Sequence, residues 1–437
     1  MHRVQTCLNV CLFALATTLA GSACGADWPM WRCDAGRTAG SPHDLPAELH
    51  LQWTRQYPKT VPAWPDQRRL KFDYEYRPVV VGKTMFVASP TSDWVAALDT
   101  ETGGEKWRTY TDGPVRFAPA VARGKVYVAS DDGYLHCLDA ANGTTLWQVP
   151  GAPDLGRKVL GNQRLISTWP ARGGPVLAHG RVYFAAGIWP FMGVFVHAID
   201  AETGKTVWCN AGTGSRYRAQ PHSGEAFTGP APQGHLAVNG DSLLVPNGRT
   251  VVACFDANTG ALRYFRLGGT RAAGSYFVAT CDRFYFNRKA VFELATGRRL
   301  GAVRGTPVLT KAAVYSGNNA YDVKKAMPFT YTKLGRKMTG LRLPRLWQFA
   351  GAAIGKVWIK AGRRLYATSG TAIVALELPA GNGAPAIAWK MEMAGTPASM
   401  LAADGKLFVV TEEGTIFCFG ANRTAPKSHL AYSAGSS

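Results

Sequence analysis

Arginines and aromatic residues are mixed in four stretches of the chain that are predicted to be connecting loops. A guanidinium offers a planar fork of N–H donors to a carboxylate, sulfate or phosphate, and a neighbouring ring offers an apolar platform. These residue types favour binding of an anionic group or a partner protein. The alternative, that such long loops only pack on one another, stays open. The candidate binding residues are Arg164, Trp169, Arg172, Trp189, Arg216, Tyr217, Arg218, His222 and Glu225, with Asp73, Tyr74, Tyr76, Arg157 and Lys158 in the same stretches.

Catalytic and metal-binding patterns are weak in this sequence. It contains no GxSxG, HExxH, P-loop or dinucleotide fingerprint, and no CxxC pair. Asp73 and Glu225 are carboxylates without an assigned structural role, and the spacing of His222 and Glu225 is too common to indicate a metal site. No catalytic residue and no metal ligand is therefore predicted.

The elements that position the candidate residues are repeats. A small residue, an Asp, a Gly and a Trp recur with the same spacing, and weaker copies end at Tyr264, near Gly301, at Trp347 and at Trp389. The Asp accepts turn N–H bonds, the Gly adopts positive φ, and the Trp packs on the neighbouring unit. The structural residues of the three intact copies are Asp99, Gly103 and Trp107, then Asp139, Gly143 and Trp147, then Asp200, Gly204 and Trp208.

Upstream of each turn, apolar residues alternate on both sides of a Gly, which predicts four short antiparallel strands per unit. Four-stranded units repeating about every 40 residues indicate the blades of a β-propeller. Seven outer strands can be counted, and an eighth unit starting at Gly395 lacks its fourth strand. The segment around Trp53 is an orphan fourth strand. We expect an all-β, eight-bladed propeller closed by this N-terminal strand, with seven blades as the alternative.

The long segments are predicted to share one face of the ring. Residues 57–76, 150–174 and 211–234 connect blades, and residues 187–194 form a turn between second and third strands. In a propeller these two kinds of connection open on the same side. The basic stretch from Lys324 to Arg345 lies within the sixth blade, and we expect it to be solvated at the rim or on the opposite face.

The N-terminus resembles a leader. His2 and Arg3 precede an apolar run that is too short to span a bilayer, followed by small residues up to Ala26. We expect a signal peptide over 1–26, a propeller over 27–420 and a flexible tail over 421–437, in a periplasmic or secreted protein. A lipid anchor at Cys24 is the alternative. Cys137, Cys254 and Cys418 occupy positions where sister repeats carry Ala, so they are expected to be free thiols.

The charge of the chain suits an acidic partner. Lys and Arg number 49 against 29 acidic residues, a formal net charge of +20. An anionic envelope polymer, an anionic membrane surface or an acidic protein would be attracted, and nucleic acid is allowed but not expected. An inert cationic surface is the alternative. A monomer without a transmembrane segment is expected.

The pattern A-x-D-x-x-T-G-x-x-x-W resembles the tryptophan-docking motif of the quinoprotein, or PQQ-repeat, propellers, and Asp27 to Arg32 is similar to the start of secreted PQQ-like proteins. That family includes alcohol dehydrogenases and the propeller lipoprotein of the outer-membrane β-barrel assembly machine. The resemblance implies either a non-catalytic envelope scaffold without cofactor or a dehydrogenase that uses PQQ and calcium. Family dehydrogenases often carry a disulfide between adjacent cysteines. Because no Cys-Cys dipeptide occurs here, the non-catalytic scaffold is the favoured interpretation.

Overall fold

The structure is a computed structural model that describes residues 27–67, 70–154, 156–219, 224–248, 250–266, 274–349, 354–381 and 383–430. Strands dominate these residues, and their only helix is a short 3-10 turn at Pro190–Met192. None of them forms a helix with the length and hydropathy that crossing a membrane requires.

Eight four-stranded antiparallel sheets follow one another along the chain. The second and third strands of most blades are apolar and buried, whereas the fourth strands mix polar and apolar residues and are mostly half-buried or exposed. Blades 1 to 4 have strands at Val79–Val81, Thr84–Ala88, Trp94–Asp99 and Glu105–Tyr110; at Ala120–Ala122, Lys125–Ala129, Tyr134–Asp139 and Thr145–Pro150; at Gly173–Ala178, Arg181–Ala186, Phe195–Asp200 and Thr206–Asn210; and at Ala237–Asn239, Ser242–Asn247, Thr250–Asp256 and Leu262–Tyr264.

The second half of the ring follows the same order, with one insertion in blade 6 and one strand of blade 8 supplied from the N-terminus. Blades 5 to 8 have strands at Ala279–Cys281, Phe284–Asn287, Ala290–Glu293 and Arg299–Ala302; at Val308–Leu309, Ala313–Ser316, Asn319–Asp322 and Arg345–Gln348; at Lys356–Ala361, Arg364–Ser369, Ala372–Glu377 and Ala386–Glu392; and at Pro397–Ala403, Lys406–Thr411, Thr415–Gly420 and His50–Gln56.

The blades form a closed ring. The first strand of each blade contacts the first strand of the next, and the cycle is completed by the contact between blades 8 and 1. His50–Gln56 pairs antiparallel with Thr415–Gly420, with Trp53 opposite Cys418. The prediction of eight blades closed by an N-terminal strand is confirmed. Lys427–Leu430 adds a parallel fifth strand outside His50–Gln56, so this part of the expected tail belongs to blade 8.

The outer-strand tryptophans sit on the turn of the following blade. Trp107 Nε1 donates a hydrogen bond to Ala140 O at 3.1 Å, and its ring covers Gly143, which has φ +77°. Blade 5 has no such Trp. There, Leu341 of the blade 6 insertion approaches Gly301, so a neighbouring hairpin covers the outer strand in its place.

Residues 28–41, called the axial segment here, run along the inner edges of the blades. The innermost strands have unpaired edge groups, which need partners when they are buried. The axial segment supplies those partners blade by blade, from blade 1 to blade 7. The bonds join Trp28 N to Val80 O, Val121 N to Pro29 O, Leu177 N to Met30 Sδ, Val238 N to Ala35 O, Thr280 N to Gly36 O, Leu309 N to Thr38 O and Lys360 N to Ala39 O.

Arg37 anchors the axial segment. Its side chain is fully buried. It donates to Pro175 O and Leu236 O at 2.8 Å and to Trp31 O at 3.0 Å. One guanidinium therefore joins the segment to itself and to the inner edges of blades 3 and 4.

Candidate functional site

The long connecting segments meet on one side of the ring, called the loop-bearing face here. Two of them form hairpins, at Lys158–Gly161 with Arg164–Ser167 and at Tyr217–Ala219 with Glu225–Phe227. Hydrogen bonds join the segments to one another, from Trp64 Nε1 to Gln233 Oε1 at 3.0 Å, from Ser215 Oγ to Pro190 O at 3.1 Å and from Asn162 Nδ2 to Ala63 O.

A buried ion cluster supports this face from below. The Nε and Nη2 atoms of Arg172 each lie 2.9 Å from a different carboxylate oxygen of Asp131, and Arg116 Nε donates to the same carboxylate at 2.5 Å. Arg116 also bonds Asp73. All four side chains are buried. Burial acts to raise the pKa of Asp131, but the two guanidinium groups outweigh it and lower that pKa to about 2. Arg172 is thus a buried guanidinium whose charge is already paired with Asp131.

Several other candidate residues also bind within the protein. Arg164 bonds Asp93 and the carbonyl of Thr91 in the second-to-third-strand turn of blade 1. Trp169 is half-buried and donates Nε1 to Met192 O at 2.8 Å. Trp189 is half-buried before the 3-10 turn. Tyr76 is buried and donates to Pro58 O. These candidate residues therefore hold one loop against another within the protein.

Five large apolar side chains are exposed on the loop-bearing face. Leu160 and Leu165 are paired across the first hairpin and are 79% and 65% exposed. Tyr217 and Phe227 are paired across the second hairpin and are 60% and 47% exposed, with their rings 5.2 Å apart. Phe191, on the 3-10 turn, is 58% exposed. Together we call these five residues the apolar loop surface.

Four charged candidates accompany this surface. Arg157, Lys158, Arg216 and Glu225 are exposed, and Arg157 pairs with Asp154 at 3.2 Å. Arg218 stands opposite Ala226 in the second hairpin. His222 lies outside the described residues. A binding role for any of these residues stays a prediction.

A cavity of about 360 Å³ with several charged side chains in its lining lies beside the axial segment. Trp31 and Arg32 of that segment line it together with inter-blade connections and the first strands of blades 7 and 8. Glu75 Oε1 accepts a hydrogen bond from Arg77 Nε at 2.8 Å, and Lys356 Nζ lies 3.1 Å from the centre of the Trp358 ring. We call this space the axial cavity.

Burial shifts the pKa values of two charged side chains in the axial cavity. Burial lowers the pKa of Lys356 to about 7 and raises the pKa of Glu75. Among the described residues, Glu75 Oε2 and Arg77 Nη1 have no hydrogen-bond partner. Sequence reasoning missed these residues. The available signals were the charged residue at the start of the apolar strand Lys356–Ala361 and the alternation of Asp73, Glu75 and Arg77.

The axial cavity suits an anionic organic ligand better than a calcium ion. Five basic residues line it against the single carboxylate of Glu75, which is already paired; they are Arg32, Arg77, Arg288, Lys289 and Lys356. Calcium takes six to eight oxygen ligands, and no group of three His, Cys, Asp or Glu residues in the described ranges could hold a metal. The donor set does not fit calcium. The six described cysteines, Cys137, Cys254 and Cys418 among them, are unpaired.

Comparison with known sequences matches residues 50–181 and 192–274 to the family model described as outer membrane protein assembly factor BamB. The chain is 32% identical over 159 residues to the quinohemoprotein alcohol dehydrogenase ADH-IIG of Pseudomonas putida, covering 33% of this chain and 20% of that protein. It is 26% identical over 284 residues to the tetrathionate hydrolase of Acidithiobacillus ferrooxidans, covering 57% and 50%. The matches therefore span between a fifth and a half of these relatives.

Solved structures share the fold. The quinohemoprotein alcohol dehydrogenase of Comamonas testosteroni superimposes with a TM-score of 0.58 at 16% identity, covering 94% of this chain and 83% of that one. A europium-containing methanol dehydrogenase gives a TM-score of 0.54 at 15% identity, covering 88% and 89%.

Proposed function

Because the chain belongs to the PQQ-repeat β-propeller family, we propose that it is a non-catalytic envelope protein whose loop-bearing face docks a partner protein. The apolar loop surface carries this proposal. Its leucine pair stands on a hairpin that the buried ion cluster holds, through the bond from Arg172 Nη2 to Asn162 Oδ1 at 2.6 Å and the bond from Ser167 N to Asp131 O at 2.9 Å. Exposed apolar groups on a rigid support are typical of protein-binding sites.

The charges of the face favour a protein over an anionic polymer. Arg172 and Arg164, two of the forks expected to hold a polymer, already have Asp131 and Asp93 as counterions. A polymer would have to compete with these carboxylates. The apolar pairs have no competing partner among the described residues, so burying them contributes more.

The expected leader and the matched relatives support a proposal for the compartment and the assembly state of the protein. We propose that residues 1–26 direct export and that the mature propeller works in the periplasm or outside the cell as a monomer. The match to an outer membrane assembly factor suits a scaffold that holds another envelope protein.

Site-specific photo-cross-linking tests the docking face. A photoreactive residue replaces Tyr217 or Leu160 in the full chain, and the control position is Ile387, which is 45% exposed on the outer strand of blade 7. We expect one discrete cross-linked protein from the two loop positions and none from the control. The band should disappear when Leu165→Ser and Phe227→Ser are added. Equal cross-linking at all three positions, or none at the loop positions, overturns the proposal.

The second candidate function is that of a quinone-dependent dehydrogenase. The five basic residues that line the axial cavity support it, since they would match an anionic cofactor, and the Pseudomonas putida relative carries a dehydrogenase name. Reconstitution with PQQ, with and without calcium, separates the two functions. The binding-protein proposal expects no chromophore after gel filtration. A one-to-one chromophore that the Arg77→Met variant loses would establish the dehydrogenase instead.

A further inference from the structure

Blade 6 carries a second exposed hairpin, at Met327–Lys333 and Arg336–Arg342, inserted between its third and fourth strands. We call it the rim hairpin. One of its faces lies against blade 5, where Leu341 approaches Gly301 and Arg298 Nη1 donates to Thr339 Oγ1 at 3.2 Å. This contact fixes the hairpin at the edge of the ring, away from the loop-bearing face.

The other face of the rim hairpin is apolar and uncovered. Register and alternation place Met327, Phe329, Tyr331 and Met338 on it, with exposed fractions of 54%, 44%, 39% and 42%. The rings of Phe329 and Tyr331 lie 5.6 Å apart. At the tip, Leu334 is 93% exposed. An isolated exposed leucine is ordinary, but a leucine at the end of a continuous aromatic and methionine stripe is not.

Cations surround this apolar stripe. Lys337 and Arg342 are exposed. Arg342 stands opposite Met327 on the apolar face, whereas Lys337, opposite Thr332, lies near the tip on the face that carries Thr339 and Leu341. The segment 324–345 contains no Asp or Glu, and its basic residues are Lys324, Lys325, Lys333, Arg336, Lys337, Arg342 and Arg345. An apolar surface bordered only by cations is complementary to one kind of environment, in which anionic groups lie directly above an apolar layer.

We propose that the rim hairpin inserts its tip and its apolar face into the surface of a membrane that contains anionic phospholipid. Leu334, Phe329 and Tyr331 would enter the boundary between headgroups and acyl chains, while Lys337 and Arg342 pair with phosphates. Each strand of seven residues extends roughly 23 Å, which is less than the hydrocarbon core of about 30 Å, so the hairpin is too short to cross the bilayer.

A lipid surface fits better than an acidic protein for a geometric reason. The cations are spread along both strands and both ends of the segment, and a fluid layer of phosphates can match any such distribution. A protein would need carboxylates at matching fixed positions. The inference does not depend on the proposed docking function, because the rim hairpin and the apolar loop surface share no residue.

Vesicle co-sedimentation of the full chain tests the proposal. The probes are phosphatidylcholine vesicles with and without about 30% phosphatidylglycerol, at low and high salt. We expect binding only to the anionic vesicles. Phe329→Ser with Leu334→Ser should weaken it at least tenfold, as should Lys337→Gln with Arg342→Gln, because apolar burial and phosphate pairing both contribute.

Leu146→Ser with Ile387→Ser, two side chains that are each 45% exposed on the outer strands of blades 2 and 7, is the matched control and should bind as the unchanged protein does. If the Phe329 variant unfolds, Leu334→Asp alone replaces it, because that side chain makes no packing contact that folding needs. Loss of binding in the charge variant alone would show simple adsorption and overturn insertion. Absence of binding to both vesicles would also overturn it and leave an acidic protein as the occupant.

Discussion

The indole ring of Trp53 covers Gly103, so that a Cβ atom added at Gly103 would lie 2.7 Å from Trp53 Cδ2. Trp53 Nε1 donates to Thr100 O at 2.9 Å, and Arg55 Nη1 donates to Gly103 O at 3.0 Å. These contacts join the outer strand of blade 8 to the turn of blade 1. The N-terminal strand thus seals the ring with the same docking geometry that joins neighbouring blades elsewhere.

Replacing Gly103 by Ala should therefore destabilise the protein more than the same change at Gly124. Both glycines have nearly equal φ values, +72° and +71°, but the space around Gly124 is open. We expect about 1 kcal/mol from the positive φ at either site and a further 1–3 kcal/mol at Gly103. Trp53→Ala should cost about 3–5 kcal/mol. Unfolding in urea measures these differences in the free energy of unfolding. Equal losses of stability for the two glycine variants would contradict the packing of Trp53 on Gly103.

Arg37→Met should destabilise the axial segment. The change leaves three carbonyl groups without their donor, two of them buried, and each buried one costs about 1–3 kcal/mol. Arg37→Lys should recover only part of the loss because one ammonium cannot reach all three oxygens. The exposed Arg363 provides the control, and Arg363→Met should leave the melting temperature unchanged. An unaffected melting temperature in Arg37→Met would show that the segment is held by its backbone alone.

Asp131 should stabilise the loop-bearing face above about pH 4. Its pKa is lowered to about 2 in the folded protein, against about 3.9 in an unfolded chain. The folded state therefore holds fewer protons in that window, and the contribution of Asp131 is lost as the pH falls from about 4 to 2. Asp73 shares Arg116, and burial raises its pKa, so it acts in the opposite direction.

Asp131→Asn should cost about 3–5 kcal/mol at pH 7, because Arg116 and Arg172 lose their common counterion. The difference from the unchanged protein should shrink towards pH 2. Asp154→Asn, in an exposed pair with Arg157, is the control. Chemical unfolding at several pH values measures both variants, and a difference that stays constant with pH would rule out this role.

Lys356→Met should stabilise the protein at pH 6 and lose that advantage near pH 10. The pKa of Lys356 is about 7 in the folded state and about 10.4 when unfolded. Between these values the unfolded chain binds more protons, so the stability of the unchanged protein rises with pH across this window. The exposed Lys71→Met serves as control. Thermal unfolding from pH 6 to 10 measures the melting temperature of each variant. The same dependence on pH for Lys356→Met and Lys71→Met would contradict the prediction.

Local chemistry explains which features the sequence could predict. The turn that begins at Asp99 and the Trp107 that follows are set by neighbouring residues, so their spacing revealed the blades. The missing partner of the last blade identified Trp53. The site was harder, because its contacts are distant in sequence. In the sequence Arg172 is predicted to be an unpaired guanidinium, because its counterion Asp131 is brought beside it only by folding. Lys356 is predicted to be an ordinary residue at the start of a strand, because the axial cavity around it also forms only on folding.

The order in which the axial segment contacts the blades also constrains how the chain folds. Residues 28–41 touch blades 1 to 7, and His50–Gln56 completes blade 8 only when Thr415–Gly420 is present. These two segments therefore reach their final positions only after the blades that follow them in the chain have formed. Contacts between residues that are so far apart in sequence form slowly, and until they form the apolar segments stay exposed to solvent. We expect the ring to close in a late step that is slower than formation of the individual blades.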